Sequence, residues 1–339
     1  MTDNPVLAEA TRGDIVESAH RGALAVFDAD GACVLALGDI ERPVFPRSAV
    51  KGIQALALLE SGAADLYDLT PGEIALACSS HSGEPAHAAA SARMLKKSGR
   101  TFACLECGTH WPMNEAAAHD LARSGKEPTA LHNNCSGKHA GFICAAVAMQ
   151  EDPQGYVRPD HPLQREVTAT LAQVLKVDFS RAPMGIDGCA IPTYGVPLKA
   201  LAYGFARYGA GTGFEPVRAK SIRRIRAACA AEPFMVAGTG RFDTRIMTAL
   251  RERAFTKTGA EGVYCAALPE QGLGIAIKID DGATRASEAA MASLIARFLT
   301  LDAQEGAVIQ AAIDAPIRNR NGDVVGHVRP SHSLRRALG

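Results

Sequence analysis

Two hairpin signals lie far apart in this chain and enclose a long run of helical pattern, an order that restricts the fold more than any other feature. Near the N-terminus, an apolar run at 23–27 leads through Asp28-Ala29-Asp30-Gly31 into a second at 32–37. Two strands joined by a tight turn are predicted there. The other hairpin is predicted at 262–268 and 274–279, across Pro269-Glu270-Gln271-Gly272, with a helix at 285–301 behind it. Antiparallel hairpins can meet in one sheet although they are distant in sequence. An α+β fold is therefore expected, an antiparallel sheet flanked by helices with a helical lobe. Residues 1–47 and 252–339 would form the sheet lobe and 48–251 the mainly helical one.

The middle carries local helix signals. Pro43 and Pro46 hold the chain extended, and Ile53, Leu56, Leu58 and Leu59 give an apolar face over 48–62. Thr70, Pro71 and Glu73 make an N-cap, a first-turn proline and a capping-box acid. Further helices are expected at 84–97, 114–124, 137–150, 161–175, 197–208, 215–230 and 241–251. Residues after 303 read as a C-terminal extension packed on the core. With 32 Gly and 18 Pro among 339 residues, the chain is neither a coiled coil nor a helical repeat array.

Lys plus Arg and Asp plus Glu number 36 each, so no basic field for nucleic acid or acidic lipid is implied. Residues 1–12 have no secretory pattern, and the longest apolar stretch, around 140–149, is too short for a bilayer. A cytoplasmic protein without nucleic-acid or membrane partners is expected. Its nine cysteines would then be thiols or metal ligands rather than disulfides.

Two short words suggest the chemistry. Ser48-x-x-Lys51 opens the first helical stretch, and Lys257-Thr258-Gly259 precedes the second hairpin. This is the motif order of the serine β-lactamases and penicillin-binding enzymes, whose sheet-plus-helical-lobe architecture matches the expected fold. A serine hydroxyl needs an adjacent base, and a lysine serves only as the neutral amine. Two ammonium groups ~4 Å apart repel by ~4 kcal/mol at an effective dielectric near 20, so Lys51 and Lys257 in one cleft would not both stay charged. The loop Ser79-Ser80-His81-Ser82-Gly83 is a candidate for the second serine. Alone, Ser48-x-x-Lys51 more often marks a helix-capping serine beside a solvated lysine, and Lys257 is what shifts that balance.

The cysteines form a second constellation. Asn133-Asn134-Cys135-Ser136-Gly137-Lys138-His139 opens a helix, where the dipole favours a thiolate, and Gly185-Ile186-Asp187-Gly188-Cys189 is a glycine-bracketed loop. Cys135 and Lys138 share a helix face and could share a partner with Cys189; simple burial is the plain alternative. By spacing, Cys104-x-x-Cys107 with His110 is a better metal pair, but no second C-x-x-C accompanies it, and it reads as structural.

Taken in order, residues 47–51, 78–84, 133–139, 185–189 and 257–262 resemble the Rhizobium-type L-asparaginases, an asparaginase II family. The resemblance implies a β-lactamase-like fold, a homodimer, hydrolysis of L-asparagine to aspartate and ammonia, and a zinc ion beside the catalytic serines. It further implies Ser48 as nucleophile with Lys51 as base, and Ser80 with Lys257 as a second Ser-Lys pair. Cys135, Lys138 and Cys189 would be the zinc ligands, and Arg47, His139 and Asp187 would line the substrate site. A β-lactamase or D-alanyl peptidase, an enzyme using zinc-bound water, and a non-catalytic amino-acid-binding protein are the rival readings.

Overall fold

Strand pairing reaches from one end of the chain to the other. The computed structural model describes residues 4–339. Its main sheet contains β1 (Val6–Arg12), β2 (Ile15–Asp28), β3 (Cys33–Leu37), β4 (Phe255–Thr258), β5 (Val263–Leu268), β6 (Leu273–Ile279), β7 (Ala315–Arg318) and β8 (Val324–Pro330). The order is β7-β8-β1-β2-β6-β5-β4, with β3 also on β2. The two expected hairpins, β2–β3 and β5–β6, do meet: β6 pairs antiparallel with β2 from Leu273↔Asp28 to Ile279↔Gly22. At the first turn, Asp28 Oδ1 accepts the Asp30 and Ala32 N–H groups, closing an Asx turn.

Three features differ from the sequence expectation. Residues 6–12 form a strand, and the C-terminal extension supplies β8, which pairs with β1 through Ala8↔Pro330 and Ala10↔Val328. That pairing joins the two chain ends, and no local pattern encodes it. Lys257 lies inside its own strand, β4, rather than just ahead of one. The predicted helix over 48–62 is broken into a 3-10 turn (Arg47–Val50) and two short helices (Lys51–Gln54 and Leu56–Glu60). Because Lys51, Gly52, Ile53 and Gln54 are all buried, this segment lacks the solvent face of a surface helix.

The chain divides into a sheet unit, 1–49, 196–210 and 256–339, and a helical unit, 50–195 and 211–255. In the sheet unit every residue of β5 is buried. The helices Leu198–Ala210 and Thr284–Phe298 pack on it, the first also on β2 and β6. Leu198–Ala210 thus belongs with the sheet although it lies within the predicted helical stretch: its buried face of Leu198, Leu201, Ala202 and Phe205 has the strands as its partner.

The helical unit is built around Ser136–Ala148, whose first eleven residues are all buried. Helices Leu56–Glu60, Pro71–Ala77, Pro85–Lys97 and Pro162–Leu175 pack against it. Close approach depends on Gly137: a Cβ there would lie 2.4 Å from Leu76 Cγ. The capping box read at Thr70 is present, with Glu73 N–H donating to Thr70 Oγ1 and Thr70 N–H donating to Glu73 Oε2. Among the described residues, no helix is long and apolar enough to cross a membrane.

Candidate active site

Ser48 sits half-buried in the Arg47–Val50 turn, which the Ala49 N–H closes on the Pro46 carbonyl. Arg47, just ahead of it, has φ +51°. A non-glycine residue in that region costs ~1–3 kcal/mol and persists only where its surroundings enforce it, as they often do at functional sites. Part of the enforcement comes from the Lys257-Thr258-Gly259 word. A Cβ on Gly259 would lie 2.7 Å from the Pro46 carbonyl oxygen, so only glycine lets the end of β4 pass beside the turn that presents Ser48. Lys257 is fully buried, and its Nζ donates to the Thr258 carbonyl at 2.9 Å.

In the helical unit Lys51 is also buried, at 1% exposure. Its Nζ lies 2.6 Å from the Ser79 carbonyl, 3.0 Å from Ser80 Oγ and 3.1 Å from Cys135 Sγ. An ammonium satisfies all three as donor. A neutral amine can instead accept the Ser80 hydroxyl proton. Ser80 is fixed by its backbone: Ser80 N–H donates to Val236 O, and His81 N–H donates to Asn134 O. Beneath it, His81 accepts the Gly83 N–H at Nδ1, which leaves Nε2–H to donate to Ser136 Oγ at 2.9 Å. Burial, then the charges of neighbouring His87 and Lys51, push the His81 pKa well below the usual imidazole value.

Cys135, Lys138 and Cys189 come together as the spacing suggested. Lys138 Nζ is 3.1 Å from Cys189 Sγ, and the two thiols hydrogen-bond to each other. That bond, with Lys51 and Lys138 nearby and against the effect of burial, holds the Cys135 thiol well below its ordinary range. The same bond and burial push the Cys189 thiol up. Burial alone would lower Lys138, but the sulfurs of Cys189 and Cys135 outweigh it and raise the amine's pKa. Among the described residues, no group of three or more His, Cys, Asp or Glu could hold a metal ion, so a metal here would need the lysine amine as a ligand. Two thiols and an amine form an S,S,N set that suits zinc once their protons are displaced.

His139 follows Lys138 and is fully buried. Burial, with the charges of Lys138 and Lys51, pushes its pKa well below the usual value. Asp187 is half-buried, and its Oδ1 accepts the Gly188 N–H; its charge reaches Lys138. The C-x-x-C segment packs beside the sulfur cluster. Burial pushes the Cys107 thiol up to about 12. Both nitrogens of His110 are engaged, Nε2 accepting the Asn134 N–H and Nδ1 facing the Trp111 carbonyl. Asn133 ties this segment to the sulfur cluster: its Nδ2 donates to the Cys107 and Gly108 carbonyls, and its Oδ1 accepts the Cys135 N–H. Sequence reasoning missed Tyr156, which carries no motif-level signal, and gave no role to Asn133 although that residue opens the 133–139 motif.

Comparison with known proteins places these residues in a family. No curated protein matches the chain. Among solved structures, a protein described as a β-lactamase from Bacteroides dorei is 15% identical over 76% of this chain and 84% of its own, with a TM-score of 0.37. A D-alanine carboxypeptidase from Burkholderia cenocepacia is 12% identical over 86% and 92%, with a TM-score of 0.38. Likeness at that level fixes neither substrate nor mechanism. A family model described as L-asparaginase II matches residues 8–330, a span that includes every site residue named above, and the chain belongs to the L-asparaginase II family.

Proposed function

We propose that this protein hydrolyses L-asparagine to L-aspartate and ammonia, with Ser48 as nucleophile and Lys51 as its base. The observation that supports this most is the setting of Lys51. It is a buried amine held by a carbonyl, a hydroxyl and a sulfur, with no carboxylate among its partners, three residues after Ser48. Such an amine can lose its proton when the Cys135 thiolate takes one up, so that no buried anion is left without a cation.

In the proposed reaction the Ser48 hydroxyl proton passes to neutral Lys51 as Oγ attacks the side-chain amide carbon. Backbone N–H groups stabilise the oxyanion. The C–N bond then breaks with a proton delivered to nitrogen, so ammonia leaves, and water hydrolyses the aspartyl ester. Ser80, hydrogen-bonded to Lys51, is proposed to relay that proton, with Lys257 as its second lysine. From their charges, Arg47 is assigned to the substrate α-carboxylate and Asp187 to its α-ammonium, with His139 beside them.

Cys135, Lys138 and Cys189 are proposed to hold a zinc ion, which would keep the thiols deprotonated and add positive charge beside the site. A homodimer working in the cytoplasm completes the proposal, in keeping with nine cysteines that are all free. Metal analysis, sedimentation and cell fractionation test these parts separately.

The central test is ammonia release from asparagine by the purified protein and by Ser48→Ala, with mass spectrometry of rapidly quenched enzyme. A loss on the order of 1000-fold and an aspartyl adduct on Ser48 are expected. Near-normal turnover by Ser48→Ala would end the reading. Turnover of a chromogenic cephalosporin in place of asparagine would favour the β-lactamase alternative, and asparagine bound without turnover an amino-acid-binding role.

A further inference from the structure

One buried polar atom near the sulfur cluster has no partner among the described residues. His139 Nε2 is fully enclosed and hydrogen-bonds to none of them, whereas its Nδ1 lies 2.6 Å from the hydroxyl of Tyr156. Tyr156 is itself fully buried, with its ring edge-on to the imidazole. Its hydroxyl oxygen accepts the backbone N–H of Glu106 at 3.0 Å. Glu106 in turn clasps the segment that carries Tyr156, since its Oε1 accepts the Gly155 N–H at 2.7 Å.

These contacts fix the direction of the hydrogen bonds. With the Glu106 N–H donating to its oxygen, the Tyr156 hydroxyl has one proton to give, and His139 Nδ1 is the acceptor within reach. A neutral imidazole that accepts at Nδ1 carries its proton at Nε2. The unpartnered atom is therefore a donor, and a buried donor left unmatched is destabilising. It stands in the first turn of the helix that also carries Lys138 and follows Cys135.

We propose that Tyr156 is a positioning residue that locks His139 in the Nε2–H tautomer, so that the imidazole presents a single fixed donor to an acceptor oxygen of the substrate, a carboxylate or amide carbonyl. This gives the Cys104–Cys107 segment a purpose, because the Glu106 backbone and carboxylate supply the rigid end of the relay. The identity of the receiving oxygen rests on the proposed asparagine hydrolysis; the tautomer does not.

The test has a spectroscopic and a kinetic arm. Side-chain 15N spectra at pH 8, with the His139 signals assigned by their loss in His139→Gln, are expected to show a pyridine-like Nδ1 and a pyrrole-like Nε2. In Tyr156→Phe the Nδ1–H form should become populated. The kinetic expectation for Tyr156→Phe is a roughly tenfold fall in kcat/KM, carried mainly by KM, the scale of one hydrogen bond. A glutamine at 139 places its amide N–H near the position of Nε2 and needs no tautomer. Adding Tyr156→Phe to His139→Gln should therefore change kcat/KM by less than twofold. A protonated Nδ1 in the native protein, an unchanged tautomer in Tyr156→Phe, or the same tenfold loss in both backgrounds would each overturn the proposal. If the protein fails to hydrolyse asparagine, the spectra still decide the tautomer.

Discussion

Lys97, at the surface of the helical unit, and Lys51, buried in it, are both secured, yet in opposite ways. Lys97, at the end of the Pro85–Lys97 helix, donates to Glu73 Oε2 at 2.8 Å and to the Asp68 carbonyl. Burial alone would raise the Glu73 pKa, but the bonds from Lys97 and Thr70 outweigh it and hold the carboxyl below its usual range. That is a committed ion pair: neither partner can change protonation without stranding the other. Lys51 has a carbonyl, a hydroxyl and a thiol instead, groups whose charge or hydrogen-bond direction can change with its own. A lysine paired to a carboxylate holds a structure together, whereas one left among reversible partners is free to do chemistry.

The sharpest way to break this comparison is to remove each charge in turn. Lys51→Met should cut ammonia release by about 1000-fold, the middle of the range for losing a general base, and act mainly on turnover, although the Ser79 carbonyl and the Cys135 thiol lose their amine donor. Glu73→Gln should do the reverse. The glutamine preserves the capping box but leaves the Lys97 charge unpaired. Breaking a buried pair costs ~3–5 kcal/mol, and with the Lys97 side chain 30% exposed about 2 kcal/mol is expected, at unchanged activity per folded molecule. Equal thermal losses in the two variants, measured by melts alongside ammonia assays, would erase the distinction.

The two settings should also separate on a pH axis. His81, beneath the Ser80 loop, and His87, stacked on it, both have lowered pKa values, in each case chiefly through burial. Below the unfolded value near 6.5 the unfolded chain binds protons that these histidines refuse in the fold. Stability therefore falls as pH drops from ~6.5, by up to about 1.4 kcal/mol per pH unit per histidine. Above that pH they contribute nothing. Glu73 works in a lower window: its depressed pKa contributes above the unfolded value near 4.3, and that contribution is lost as pH falls through the folded one. Denaturant melts between pH 7 and 5 should show a loss that His87→Gln reduces and Glu73→Gln leaves alone. A flat profile in the native protein would contradict the burial argument.

How much of this was legible depends on how local each feature is. The capping box at Thr70, the hairpin turn at Asp28 and the helices behind Asn114 and His161 are written in neighbouring residues, and the structure shows them there. The β1–β8 pairing was hidden because its two halves lie at opposite ends of the chain. The site divides similarly. Cys135 and Lys138 share a helical turn and could be read together, and Cys189 was found through its glycine-bracketed loop. The Lys51–Cys135 contact joins residues whose spacing has no pattern. Tyr156 left no trace and Asn133 was legible only as part of its motif, without a role, because one phenol or amide is conspicuous only when its hydrogen-bond partners are known.

The smallest expected effect concerns the pair that spacing made most conspicuous. Cys104 lies half-buried on the wall of a polar cavity of about 400 Å³ lined also by Arg100, Glu106 and Asp152. Cys107 is buried against the Ala130 and Gly108 carbonyls. Among the described residues neither thiol hydrogen-bonds to Lys51, Lys138 or Cys189, and the segment acts through backbone groups and the Glu106 carboxylate, which a side-chain change at 104 does not reach. Cys104→Ser should therefore alter stability by less than about 0.5 kcal/mol and leave both ammonia release and bound metal unchanged. Cys135→Ser, by contrast, takes a partner from Lys51 and should depress activity. A Cys104→Ser variant that lost metal or turnover would mean that the regular C-x-x-C spacing, rather than the irregular contacts around Lys51, marks the working thiols.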